Sequence, residues 1–135
     1  MKKHLLMLAL ASTCFMATQA QAMTKDEYKA GKEKIEADYK AAKAQCDALK
    51  DNAKDVCEKE AKGKENVAKA ELEQQYKPSD AHARKVAEEK VKANYEVAKE
   101  KCDDQAGDAK AACVKQAKAD ESQGKADIKA MKKSM

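Results

Sequence analysis

The feature that most limits how this chain can fold is the spacing of its cysteines. Cys46 and Cys57 enclose ten residues, and Cys102 and Cys113 enclose ten more. Two cysteines eleven positions apart on one unbroken α-helix would share a face but sit ~16 Å apart. A disulfide needs Cα atoms within ~7 Å. Either the helix breaks between the cysteines and each pair closes on itself, or the helices run on and the pairs join across a single fold-back.

The surroundings of the two pairs match at an offset of 56 residues. Glu33-Lys34 returns as Glu89-Lys90, Ala37-x-Tyr39 as Ala93-x-Tyr95, and Ala42-Lys43 as Ala98-Lys99. Cys46-Asp47 returns as Cys102-Asp103, Ala53-Lys54 as Ala109-Lys110, and Cys57-x-Lys59 as Cys113-x-Lys115. Matches in step across both cysteines read as an internal duplication. The expected units are residues 23–78 and 79–135.

Helix is expected almost throughout, since Ala, Lys, Glu and Gln dominate and Pro78 is the single proline. Tyr28, Ile35, Tyr39, Ala42, Cys46 and Leu49 follow three-four spacing along one face, and Val91, Tyr95, Ala98 and Cys102 repeat it. Thr24 followed by Glu27 has the pattern of a capping box. Lys77-Pro78-Ser79-Asp80 separates the repeats, with Pro78 stopping one helix and Ser79 or Asp80 capping the next.

Between the cysteines, Gly107-Asp108 reads as a C-terminal glycine followed by an N-cap, and Asn52 offers an N-cap at the corresponding place. Breaks near 51–52 and 107–108 turn each repeat into an αα-hairpin with local pairs, Cys46 to Cys57 and Cys102 to Cys113. The competing arrangement is one long hairpin turning at 79–80, with Cys46 opposite Cys113 and Cys57 opposite Cys102. The local pairing is favoured, because four helices of ~25 residues bury alanine-rich faces better than one exposed pair.

The first 22 residues have the pattern of a cleaved export signal. Lys2, Lys3 and His4 precede an apolar run from Leu5 to Ala17, and Ala20-Gln21-Ala22 is a small-x-small cleavage site. Cys14 follows Ala11-Ser12-Thr13, a poor match to a lipobox. The mature chain is expected in the periplasm or outside the cell, where four remaining cysteines favour disulfides. Past the signal no apolar run is long enough to span a bilayer.

Lys2 and Lys3 leave with the signal, so 26 basic residues face 24 acidic ones, with signs interspersed. That balance lacks the clustered basic face of a nucleic-acid binder. Catalysis also lacks a constellation: His82 is the one histidine of the mature chain, and Gly63-Lys64 lacks the rest of a phosphate loop. The carboxylates alternate with lysines at helical spacing, the pattern of a solvated, ion-paired face. Ten intervening residues fall outside the usual spacing of structural zinc ligands. No catalytic residue, metal ligand or cofactor is assigned.

Over Cys46-Asp-Ala-Leu-Lys-Asp-Asn-Ala-Lys-Asp-Val-Cys57-Glu-Lys-Glu-Ala-Lys-Gly63, then Val67 to Leu72 and Tyr76-Lys-Pro78, the chain resembles a family of small exported proteobacterial proteins rich in Lys, Ala and Glu. Some members carry a TolA-like cell-envelope label. Lys50-Asp51 stands where the family pattern has a Ser-Gly turn. The resemblance implies no catalytic or ligand residues.

The expectation is an all-α fold of two tandem αα-hairpins in a four-helix arrangement, stapled at Cys46, Cys57, Cys102 and Cys113. Its expected role is that of a non-enzymatic interaction, scaffold or stress-protective protein of the envelope, partnered by another helical protein or by itself. The alternative is a thiol-based metal-binding or redox protein using the same four cysteines.

Overall fold

The computed structural model describes residues 22–134. Residues 1–21 of the expected export signal, Cys14 among them, lie outside the described residues. The described residues form four helices: α1 (Lys25–Cys46), α2 (Asp51–Tyr76), α3 (Asp80–Lys101) and α4 (Gly107–Ser134). A single 3₁₀ turn, Cys102–Asp104, follows α3, and no strand occurs among the described residues. The fold is all-α, in the expected four-helix arrangement.

Local chemistry sets most of the helix ends. The Thr24 hydroxyl accepts the Glu27 N–H at 3.2 Å, and the Glu27 carboxylate accepts the Thr24 N–H at 2.7 Å. Two donors that a helix start leaves unpaired are thereby satisfied. The bond from the Thr24 backbone holds the Glu27 carboxyl below its usual value. At the middle turn the Ser79 hydroxyl accepts the His82 N–H at 3.1 Å and caps α3. His82 Nδ1 lies 2.6 Å from the Lys77 carbonyl, which can only accept, so this nitrogen carries the proton. His82, in the first turn of α3, thus ties that helix to the middle turn.

The breaks between the cysteines lie earlier than the sequence suggests. α1 ends at Cys46 and α2 begins at Asp51, so residues 47–50 make the first turn, not 51–52. In the second half the 3₁₀ turn and residues 105–106 make it. Gly107 is the first residue of α4, with φ 58°, and does not close α3. Asp51, its counterpart 56 residues earlier, also has positive φ, at 51°. Both positions turn the chain into a helix through the left-handed region, which glycine enters freely and aspartate tolerates better than most residues. Asn52 is not an N-cap. Its amide instead donates to the Glu100 carbonyl at 3.0 Å, near the end of α3 where carbonyls lack a regular helical partner. Leu49, expected on the apolar face, sits in the first turn and is 41% exposed.

The helices run up-down-up-down and pack in series, α1 on α2, α2 on α3 and α3 on α4. The α2–α3 junction, across Pro78, is the most extensive of the three. The outer helices α1 and α4 pack on the inner two, with no substantial contact between them. The result is one open layer of helices, whereas a closed bundle would bury a stripe of every helix at its centre.

The interior of such a layer is thin. Its buried apolar side chains are Cys46, Ala61, Ala70, Leu72, Cys102 and Ala117. Leu72 is the largest aliphatic among them, and burying a leucine is worth ~1.5–3 kcal/mol. Close backbone approach replaces bulk. A Cβ on Gly63 would lie 2.8 Å from the Ala93 Cβ, between α2 and α3. One on Gly124 would lie 2.5 Å from Val91 Cγ2, between α3 and α4. At the open end of the first hairpin Tyr28 stacks on Tyr76, with ring centroids 4.4 Å apart, and donates its hydroxyl to the Glu73 carboxylate. That bond raises the Tyr28 pKa.

Candidate functional site

The four cysteines form two local disulfides, Cys46 with Cys57 and Cys102 with Cys113, with Cα atoms 5.5 and 5.6 Å apart. Cys46 closes α1, and Cys57 is the seventh residue of α2. Cys102 opens the 3₁₀ turn, and Cys113 is the seventh residue of α4. At the seventh position of their helices, Cys57 and Cys113 stand clear of the first turn, where the helix dipole lowers a thiol pKa.

The two tips are built alike. Cys46 and Cys102 are fully buried, and their sulfurs lie 3.3 and 3.1 Å from the carbonyls of Ala42 and Ala98, one turn back. Beside each disulfide an ion pair spans the turn, Lys54 to Asp47 at 3.1 Å and Lys110 to Asp103 at 2.8 Å. The bond to Asp47 raises the Lys54 pKa. Among the described residues no group of three or more His, Cys, Asp or Glu side chains is arranged to hold a metal ion. With both pairs bonded, thiolate chemistry at the tips would require prior reduction.

The larger feature is one face of the layer. Three grooves run side by side along it. The first, between α1 and α2, is lined by residues that include Ile35, Tyr39 and Ala42. The second lies between α2 and α3, encloses about 920 Å³ and is floored by Gly63, Val67, Ala93 and Val97. The third, between α3 and α4, includes Val91, Tyr95 and Ala117. Lys64 and Ala68 line both the first and second grooves, and Asn94 and Ala98 both the second and third. Shared ridges make the grooves one continuous corrugated surface.

Charge is placed at the lips of the central groove. Lys101 meets Glu60 at 3.0 Å, and Lys90 meets Glu71 at 2.7 Å, each pair joining α3 to α2. All four side chains are about half exposed and keep capacity for a second partner. Between α1 and α2 the buried Glu65 accepts from Lys62 at 2.8 Å and Lys69 at 2.7 Å. Burial pushes its carboxyl up, but the two ammonium groups outweigh burial and hold it below its usual value.

Sequence reasoning reached the cysteine pairing but not this face. The glycines that bring the helices together carry no local mark within a Lys/Ala/Glu helix, and the lip charges look like any solvated lysine or glutamate. The 56-residue offset aligns the tip ion pairs, Asp47 with Asp103 and Lys54 with Lys110, and not the lip pairs. No protein-family model, curated protein or solved structure matches the chain. Among the described residues no helix is long and apolar enough to cross a membrane.

Proposed function

We propose that this chain is an exported, non-enzymatic helical module of the cell envelope that works by binding, as an interaction or scaffold protein. The observation that carries this reading is the open face. A single layer of helices leaves a continuous small-residue surface uncovered on one side, and such a surface gains by packing against another helical one. The disulfides fit an oxidising compartment and hold the hairpin tips while the layer waits for a partner. The duplicated cysteine pattern and the amino-terminal sequence agree with that role.

The test places a photo-crosslinking residue at Val67 or Val97, in the central groove, and at Lys59, exposed and lining none of the three grooves. In intact cells the groove positions are expected to give protein adducts, to this chain or to another, and Lys59 none. Turnover of a substrate by the purified chain, with no adduct from the groove, would overturn the reading.

A further inference from the structure

The charges at the central groove are arranged in a way that only one kind of self-packing satisfies. We propose that the face is covered by a second copy of this chain, related by a two-fold axis running along the α2–α3 groove, parallel to the helices. The inference rests on reading the face as an interaction surface and names its occupant.

The geometry follows from the antiparallel pairing of α2 and α3. Glu60 and Lys101 stand at one level of the groove, and Glu71 and Lys90 at another. The levels are eleven residues apart, or ~16 Å. In both, the acid is on the α2 lip and the base on the α3 lip. Rotation by 180° about an axis along the groove exchanges the two lips and keeps every level where it is. Each Glu60 then lies over the Lys101 of the other copy, and each Glu71 over the other Lys90. Two levels thus become two clusters of alternating charge, with four new attractive contacts.

The other face-to-face two-fold, perpendicular to the helices, keeps the lips and exchanges the levels. It stacks Glu60 on Glu71 and Lys101 on Lys90, like on like, and is disfavoured. The charge pattern therefore selects one axis. Between the clusters the floor is Gly63, Val67, Ala93 and Val97, small enough to let a second layer approach closely. The Lys64 ridge meets the level of the partner's small Ala98, where its stem can lie down.

The area suffices. Two central helices present a face ~30 Å long and ~20 Å wide, on the order of 600 Å² per copy, against ~800 Å² per partner for a specific interface. The two outer grooves, with Ile35, Tyr39, Val91 and Tyr95, border it, and the carboxylates that line them are held within their own helices, Asp38 by Lys34, Glu65 by Lys62 and Lys69, Asp120 by Gln116, Glu121 by Lys125 and Asp127 by Gln123. Self-association of this kind gives each thin layer the second layer that a domain core requires.

The experiment uses the disulfide-bonded mature chain in sedimentation equilibrium, with two variants. Glu60→Lys with Glu71→Lys makes both lips basic, and Lys90→Glu with Lys101→Glu makes both acidic. The wild type is expected to dimerise. Each variant alone is expected to lose roughly tenfold or more in self-affinity, as four attractive contacts become repulsive, and an equal mixture of the two to regain it. The wild type staying monomeric, either variant dimerising as well as the wild type, or the mixture failing to associate overturns the proposal.

A second measurement needs no variant. In an equal mixture of ¹⁴N- and ¹⁵N-labelled wild type, carbodiimide is expected to give mixed-isotope Glu60–Lys101 and Glu71–Lys90 links. Mixed-isotope links elsewhere, or none, contradict the axis. Groove adducts to other proteins only would sink the second copy and leave the interaction reading standing.

Discussion

Replacing Gly107 with alanine isolates one term in the energetics of the hairpin tips. Gly107 begins α4 with φ 58°, and a Cβ built there meets nothing within 4 Å. The substitution therefore adds no clash and removes no contact. What it adds is the cost of holding an L-residue in the left-handed region, ~1–2 kcal/mol. Part of this is offset because alanine restricts the unfolded chain more than glycine does, leaving a net loss of ~1 kcal/mol. For a domain of this size that is a fall of ~4 °C in the melting temperature. The assay is thermal and urea unfolding of oxidised residues 23–135, followed by helical circular dichroism. The sign is what discriminates. Were Gly107 an ordinary helical residue, alanine would stabilise by ~1 kcal/mol. A Gly107→Ala chain as stable as the wild type, or more stable, would refute a tip built on a left-handed residue.

Other perturbations separate the remaining contributions. Gly124→Ala and Gly63→Ala should each destabilise by ~1–3 kcal/mol despite their better helix propensity, because the new methyl meets Val91 or the Ala93 Cβ well inside contact distance; urea midpoints read this. Each disulfide closes a separation of 11 residues, so reducing both should lower stability by ~3 kcal/mol per bond in the chain-entropy model, seen as a large fall in melting temperature with reductant. Glu65 has a lowered folded pKa, so its ion pairs contribute fully above the ordinary carboxylate range, and that contribution is lost as pH falls through the folded value. Glu65→Gln should flatten this part of the acid-unfolding profile, and an unchanged profile would count against the Lys62–Glu65–Lys69 network.

Much of the fold was legible because it depends on neighbours in sequence. Thr24 with Glu27, and Ser79 after Pro78, are caps whose partners lie three residues away, and the structure has both. The cysteine spacing and the glycine at 107 together pointed to a break between the cysteines. What escaped depends on distant residues or on backbone details that composition does not carry. Gly107 was read as the exit of one helix and is the start of the next, since positive φ serves either end. Asn52 looks like a cap for its own helix, yet its amide finds Glu100, 48 residues away. Lys50-Asp51 offered no glycine, and only the backbone shows that Asp51 takes the same left-handed turn as Gly107. The open layer was hardest to foresee. An alanine-rich stripe suits a closed bundle equally well, and the choice is made where Gly63 and Gly124 let adjacent helices close on each other.

A non-reducing tryptic map of the native chain tests most directly whether the hairpin tips are locally stapled. Cleavage after Lys43, Lys50, Lys54, Lys101 and Lys110 puts the four cysteines on four different peptides. With thiols trapped before lysis, two linked species are expected, Cys46 with Cys57 and Cys102 with Cys113. Linked peptides pairing Cys46 with Cys113 and Cys57 with Cys102, or four trapped free thiols, would contradict local stapling.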